Sequence, residues 1–218
     1  MDLLNDADVR VLGSLIEKEL TTPEHYPLSL NALVNACNQS SNRDPVVHYD
    51  DATVKAAVDR LRKYSLVRSI QRSDARVMKY MHLMGEATGL ERPELAALCV
   101  LMLRGPQTVG EIRTRGGRLF DFRSLEEVET TLNVLATRAP SPLVIRLARQ
   151  PGQKEARYVH LLSGEVETEP SRARPTVADA DAPAESDRLG ALERIVEELR
   201  SEVADLRAEV GEFRRLIE

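Results

Sequence analysis

The chain is expected to be mainly α with small β-hairpins, an α+β arrangement in which one unit occurs twice, followed by a linker and a C-terminal coil. Three observations carry this. First, Lys79-Tyr80-Met81-His82-Leu83-Met84 returns as Arg157-Tyr158-Val159-His160-Leu161-Leu162, 78 residues later. Second, each copy closes the same series: an apolar helix, a second short helix, a longer amphipathic helix, then two β-rich runs. Third, the chain ends in an unbroken heptad pattern. Three helices followed by a hairpin is the order of a winged helix. The expected organisation is therefore a winged-helix domain over residues 3–85, a second over 90–163, a disordered acidic linker over 164–187 and a coiled-coil helix over 188–218.

In the first copy, Asn5 or Asp6 can cap a helix running to about Leu20, with Val9, Leu12, Leu15 and Ile16 at helical spacing. Thr21-Thr22-Pro23 breaks it. Ser29 opens a short helix with Leu30, Leu33 and Val34 inward. A polar loop, Asn38 to Tyr49, follows. Asp50 or Asp51 caps a third helix through about Tyr64, with Val54, Val58 and Leu61 on one face. A hairpin closes the copy: Leu66 to Arg72, a turn at Ser73-Asp74-Ala75, and Arg76 to Leu83.

The second copy starts near Glu91. Pro93 suits the first turn of a helix carrying Leu95, Leu98, Val100 and Leu101. Gly105-Pro106 ends it, and Thr108 opens a short helix with Val109 and Ile112. Ser124 and Glu127 have capping-box spacing for a third helix, with Leu125, Val128, Leu132 and Leu135 inward. The hairpin runs from Leu143 to Ala148, turns at Pro151-Gly152, and returns from Ala156 to Leu162.

From residue 164 to about 187 periodicity is lost, and Pro170, Pro175 and Pro183 interrupt an Ala- and acid-rich run. A flexible coil of that length spans roughly 25–30 Å. Beyond it, Leu189, Leu192, Val196, Leu199, Val203, Leu206, Val210, Phe213 and Ile217 alternate three and four apart. Mostly β-branched residues at a, and Leu at most d positions, favour a parallel two-stranded coil. The charges agree: Arg188 would face Glu193, Glu202 would face Arg207, and Glu209 would face Arg214 of a parallel partner. A parallel homodimer is expected, with a single amphipathic helix folded onto the body as the alternative.

Composition narrows the function. Residues 1–164 carry 22 Lys and Arg against 20 Asp and Glu, while residues 165–218 carry 8 against 15. A near-neutral body with an acidic tail is unlike a strongly basic nucleic-acid protein. With no Trp and three Phe, the cores must be aliphatic. Cys37 and Cys99 have no zinc or disulfide spacing. No apolar run approaches the ~20 residues of a membrane span, and the acidic N-terminus lacks signal-peptide order. A cytoplasmic protein is expected.

Several stretches carry a family resemblance: Glu17-Lys18-Glu19-Leu20-Thr21-Thr22-Pro23-Glu24-His25-Tyr26-Pro27-Leu28-Ser29-Leu30-Asn31, then Ala36-Cys37-Asn38-Gln39-Ser40-Ser41-Asn42-Arg43-Asp44-Pro45-Val46. In the second copy they are Leu98-Cys99-Val100-Leu101-Met102-Leu103-Arg104-Gly105-Pro106-Gln107-Thr108 and Glu155-Ala156-Arg157-Tyr158-Val159-His160-Leu161. Together they closely resemble the YceH-like bacterial proteins over about residues 3–164. The resemblance implies tandem winged helices of unassigned biochemical function, often ending in a coiled coil. It implies no catalytic residues.

Double-stranded DNA is the first candidate ligand. Lys55, Arg60, Arg62 and Lys63 lie on or beside the outer face of the third helix, and Arg68, Arg72, Arg76 and Lys79 belong to the first hairpin. A helix in the major groove and a basic wing on the backbone is how such a domain binds. Asp50, Asp51 and Asp59 oppose this, because the helix N-terminus usually enters the groove. The corresponding helix of the second copy shows Glu126, Glu127 and Glu129, which would repel phosphates. Arg113, Arg115, Arg118 and Arg123 precede it and could hold a phosphate or a partner protein's carboxylate.

Asn31, Asn35, Asn38, Gln39, Asn42 and Arg43 form a second candidate, since amides read base edges or peptide backbones. Capping and loop closure explain them more simply, Arg43 least well. Cys37, His25 and His48 match no zinc motif. His82 and His160 occupy equivalent repeat positions, which favours a structural role. No metal or other cofactor is expected, and no catalytic constellation stands out. The leading expectation is a non-enzymatic DNA-associated regulator. The alternative is a protein-interaction scaffold that docks an unidentified protein without touching DNA.

Overall fold

Helix α1, Asp6–Thr21, begins at a reciprocal cap. The Asn5 side chain accepts from the Asp8 N–H at 3.0 Å, and the Asp8 carboxylate accepts from the Asn5 N–H at 3.2 Å. Pro23 opens a single 3-10 turn, Pro23–His25. Strand β1, Leu28–Ser29, leads directly into α2, Leu30–Cys37, whose first turn Ser29 caps. Helix α3, Asp51–Lys63, is capped by Asp50, which accepts from the Thr53 N–H at 2.8 Å. The hairpin is β2, Val67–Ile70, and β3, Lys79–His82. These are the residues of a computed structural model, which describes 3–71, 77–149, 153 and 155–164. Arg72 and Arg76, most of the expected linker and the whole heptad segment lie outside the described residues.

A short helix α4, Met84–Thr88, ends at Gly89 in the left-handed region (φ 67°) and turns the chain into α5, Arg92–Arg104. Helix α6 is Val109–Gly116 and α7 is Leu125–Ala136. Strands β4, Val144–Arg146, and β5, Tyr158–His160, close the second half. The two halves thus repeat one order of elements, mainly helical with small antiparallel sheets.

The repeat reaches further than the sequence suggested. In the first half β1 adds to the hairpin, giving the order β1-β3-β2, with Leu28 opposite Tyr80. In the second half the same place holds one bridge, Gln107 opposite Tyr158. Tyr80 and Tyr158 are equivalent positions, and the residue after each bridge point, Ser29 or Thr108, caps the next helix. One departure concerns the expected capping box at α7. Ser124 accepts from the Glu127 N–H, but the Glu127 carboxylate reaches back to the Arg123 N–H at 2.6 Å instead of that of Ser124.

The halves share one core within a single compact unit, Met1–Glu169. Helix α5 is buried from Leu95 to Leu103 because α1 covers one side and α6 and α7 the other. Gly13 permits the approach of α1 to α5: a Cβ there would stand 2.9 Å from Leu103 Cδ2. The Cys99 thiol donates to the Gly13 carbonyl at 3.4 Å. Backbone bonds from Leu4 to Leu162 and from Asp44 to Leu103, both 2.9 Å, complete the seam. Among the described residues no helix is long and apolar enough to cross a membrane.

Candidate nucleic-acid interface

The end of α3 decides where the first hairpin goes. Ser65 adopts φ 58°, and the Leu66 N–H returns to the Leu61 carbonyl at 2.9 Å. This left-handed residue folds β2 back beside the helix that precedes it. Arg62 from α3 and Arg68 from β2 therefore line one open groove of about 360 Å³, with Ser65, Val67, Ser69 and Leu83 between them. Both arginines are exposed, as are Lys63 and Lys79. Arg68 is held lightly, its Nη2 3.4 Å from Met81 Sδ.

Carboxylates meet three of the candidates on α3. Lys55 Nζ is 2.6 Å from Asp59 Oδ2, and Arg62 Nη1 is 3.4 Å from Asp59 Oδ1. The Lys55 hydrogen bond holds the Asp59 carboxyl below its ordinary value, so Asp59 offsets charge along this stripe. Arg60 turns away from the groove. Its guanidinium meets the buried Asp8 carboxylate at 2.9 Å and fastens α3 to the start of α1.

The polar segment after α2 does not form a reading surface. Asn38 clamps Tyr49, donating to its carbonyl at 2.7 Å and accepting from its N–H at 2.8 Å. Gln39 accepts from Arg43 at 3.1 Å. Arg43 is buried: it donates to both Glu17 oxygens, at 3.1 and 2.7 Å, and to the Ala36 carbonyl at 2.8 Å. The carboxylate that Arg43 meets thus comes from within, from α1. Asn42, at φ 58°, accepts from Arg104 Nη2 at 2.5 Å. Only Asn31 and Asn35 stay on the surface, bonded to each other at 3.0 Å.

A family model described as a protein of unknown function, DUF480, matches residues 4–153. The chain belongs to this family. A UPF0502 protein of Pelobacter propionicus is 51% identical over 217 residues, covering 97% of each chain. One from Geotalea uraniireducens is 51% identical over 217 residues, covering 99% of this chain and 98% of its own. One from Aliivibrio fischeri is 48% identical over 221 residues, covering 100% and 97%. The DUF480 match takes in both repeats up to the second hairpin turn, and so includes the groove and the arginines that follow.

Those arginines, grouped by sequence, separate in space. Arg113 donates to the Phe122 and Arg123 carbonyls at 3.2 and 3.1 Å and closes the connection from α6 to α7. The Arg123 side chain stays exposed nearby. Arg115 bonds the Gln107 side chain and lies 3.4 Å from Glu111, whose carboxylate also meets Arg157 at 2.7 Å. Arg115 and Arg118 join Arg104, at the end of α5, around a different pocket. Arg104 was overlooked because it closes an otherwise buried apolar helix. Its one signal was a cation beside a helix-ending glycine.

The two repeat histidines differ. His82 Nδ1 accepts from the Met84 N–H at 3.2 Å, and its Nε2 stands 2.6 Å from Glu19 without the alignment of a hydrogen bond. The Tyr26 hydroxyl accepts from the His82 N–H at 2.6 Å. His160 borders an open cleft of about 460 Å³ that Asp6, Arg10, Asp44 and Tyr49 also line. Arg10 was not singled out from the sequence. It is buried and donates to the Pro45 carbonyl at 2.6 Å. Burial pushes the Cys37 thiol up to about 11, away from a reactive thiolate. His25 and His48 are exposed, and no group of three or more potential metal ligands occurs among the described residues.

Proposed function

We propose that the chain is a non-enzymatic, DNA-associated regulator built from two tandem winged helices and dimerised in parallel by its C-terminal heptads. The observation that supports this most is the groove holding Arg62 and Arg68. A helix and the hairpin behind it bring one cation each to a single open surface, with Lys63 and Lys79 exposed on the same two elements. Phosphates are met this way when a winged helix docks, the hairpin lying on the backbone. Helix α3 carries Asp59 as well, so each site alone would bind weakly. Two sites on one dimer would raise the effective concentration of the second.

The test is a DNA-binding titration of the full chain beside the double variant Arg62→Glu, Arg68→Glu. The reading requires the variant to lose binding, and unchanged binding would place the contact elsewhere.

A second reading rests on α7. This helix has no Lys or Arg, shows Glu126 and Glu129, and leaves Leu125 and Val134 49% and 42% exposed. Acidic and apolar together suit a protein partner better than phosphate. On this reading the second half docks a protein while the first meets DNA, or the whole chain serves as a scaffold.

A further inference from the structure

We propose that Arg104, Arg115 and Arg118 form a binding site for a phosphate group, in the pocket where the two halves meet. The pocket is walled by Glu17 and Thr21 from the end of α1, by Asn42, by Cys99, Val100 and Leu103 of α5, and by Leu119 after α6. Three guanidinium groups thus reach it from two helices and the turn that follows one of them. Arg115 and Arg118 are three residues apart, and the fold brings Arg104 to them from a different helix.

The charge around the pocket does not balance. Glu17 is the one carboxylate on its wall among the described residues, and Arg43 already neutralises it through two bonds. Arg115 has a share in Glu111, which Arg157 approaches more closely, at 2.7 Å against 3.4 Å. Arg104 spends one donor on the neutral Asn42 amide oxygen. Arg118 has no described partner. Burial, and then the proximity of Arg115 and Arg43, lower the Arg104 pKa. An anion would relieve that repulsion.

Geometry selects the kind of anion. The pocket has a cavity volume of about 30 Å³, room for roughly two water-sized groups. A nucleoside would not enter, whereas two oxygens of a phosphate would, leaving the rest at the mouth. A planar carboxylate is satisfied by one bidentate arginine, as Arg43 satisfies Glu17. Cations approaching from several directions suit a tetrahedral dianion. The phosphate could belong to a small molecule or to a nucleic-acid backbone, and the chemistry of the site is the same for both.

The experiment is calorimetric titration of the full chain with inorganic phosphate, at constant ionic strength with chloride as the reference anion. Saturable binding is expected, about tenfold weaker in Arg118→Gln. That residue is exposed, so the variant should fold normally. Arg104→Gln should weaken binding similarly, while the groove variant Arg62→Glu, Arg68→Glu should bind phosphate as the parent does. Release of phosphate by a short DNA duplex would assign the group to a nucleic-acid backbone, and retention would assign it to a small molecule. The proposal is overturned if phosphate gives no more heat than chloride, or if Arg118→Gln binds it unchanged.

Discussion

Arg43 and Glu17 form a two-pronged ion pair across 26 residues of sequence, with Nη2 to Oε2 at 2.7 Å and Nη1 to Oε1 at 3.1 Å. The Arg43 side chain is 0% exposed and that of Glu17 11%. The Ala36 and Asn42 carbonyls and the Gln39 amide oxygen accept from the remaining donors. A buried pair of this kind fixes geometry more than it adds stability, because desolvation offsets the attraction. It holds the loop after α2 against α1, and so positions the wall of the arginine pocket.

Removing one member should therefore be far worse than removing both. Arg43→Met leaves the Glu17 charge without a partner and should cost about 3–5 kcal/mol in urea unfolding. Arg43→Met with Glu17→Met should recover much of that loss. A single variant as stable as the parent would show that the pair is not needed.

Gly13 sets the distance between α1 and α5. Alanine there gains about 0.8–1 kcal/mol of helix propensity, but its Cβ would stand 2.9 Å from Leu103 Cδ2 and 3.3 Å from Met102 Cβ. Overpacking of this sort costs about 1–3 kcal/mol. Gly13→Ala should be modestly destabilising, and Gly13→Val clearly worse. A thermal melt of Gly13→Val matching the parent would contradict the close crossing.

His160 makes stability depend on pH. Burial lowers its pKa from 6.5 to about 4, and its Nδ1 is buried with no hydrogen-bond partner among the described residues. The unfolded chain therefore takes up a proton near 6.5 while the folded one does not. The folded state is at full advantage above that pH and loses ground as pH falls from 6.5 to about 4. The loss should be about 2–3 kcal/mol. Subtracting the stability curve of His160→Gln should isolate it. Parallel curves for parent and variant across this window would show that His160 is not buried neutral.

Much of this fold was legible because its signals are local. Asn5, Ser29, Asp50, Thr108 and Ser124 cap the helices they precede, and aliphatic spacing marks the buried faces. Three elements were missed, the first being the 3-10 turn Pro23–His25. Strand β1 is two residues long, and α4 spans five, too few to show a period. The candidate site was less legible still. Arg60, Arg62 and Lys63 look alike in sequence, yet Arg60 belongs to Asp8, 52 residues away. Arg43 belongs to Glu17, and Arg104 belongs with Arg115 and Arg118. Such pairings are settled by which helices cross, and here that is decided by α1 lying on α5.

Dimerisation is predicted to reside in the heptads alone. Replacing Val203 and Leu206 with Asp should give a monomer by sedimentation while leaving the helical signal and melting of residues 4–164 intact. Loss of folding in that body would contradict a modular arrangement. A parent chain that is already monomeric would contradict the coil.

DNA association itself is tested most directly by fluorescence anisotropy of the full chain on random-sequence duplex at several salt concentrations. Binding in the micromolar range, weakening steeply as salt rises, is the predicted result. The salt slope should fall by roughly one for each of Arg62 and Arg68 removed. No binding even at low salt would contradict the DNA reading and leave the exposed residues of α7 as the surface to pursue.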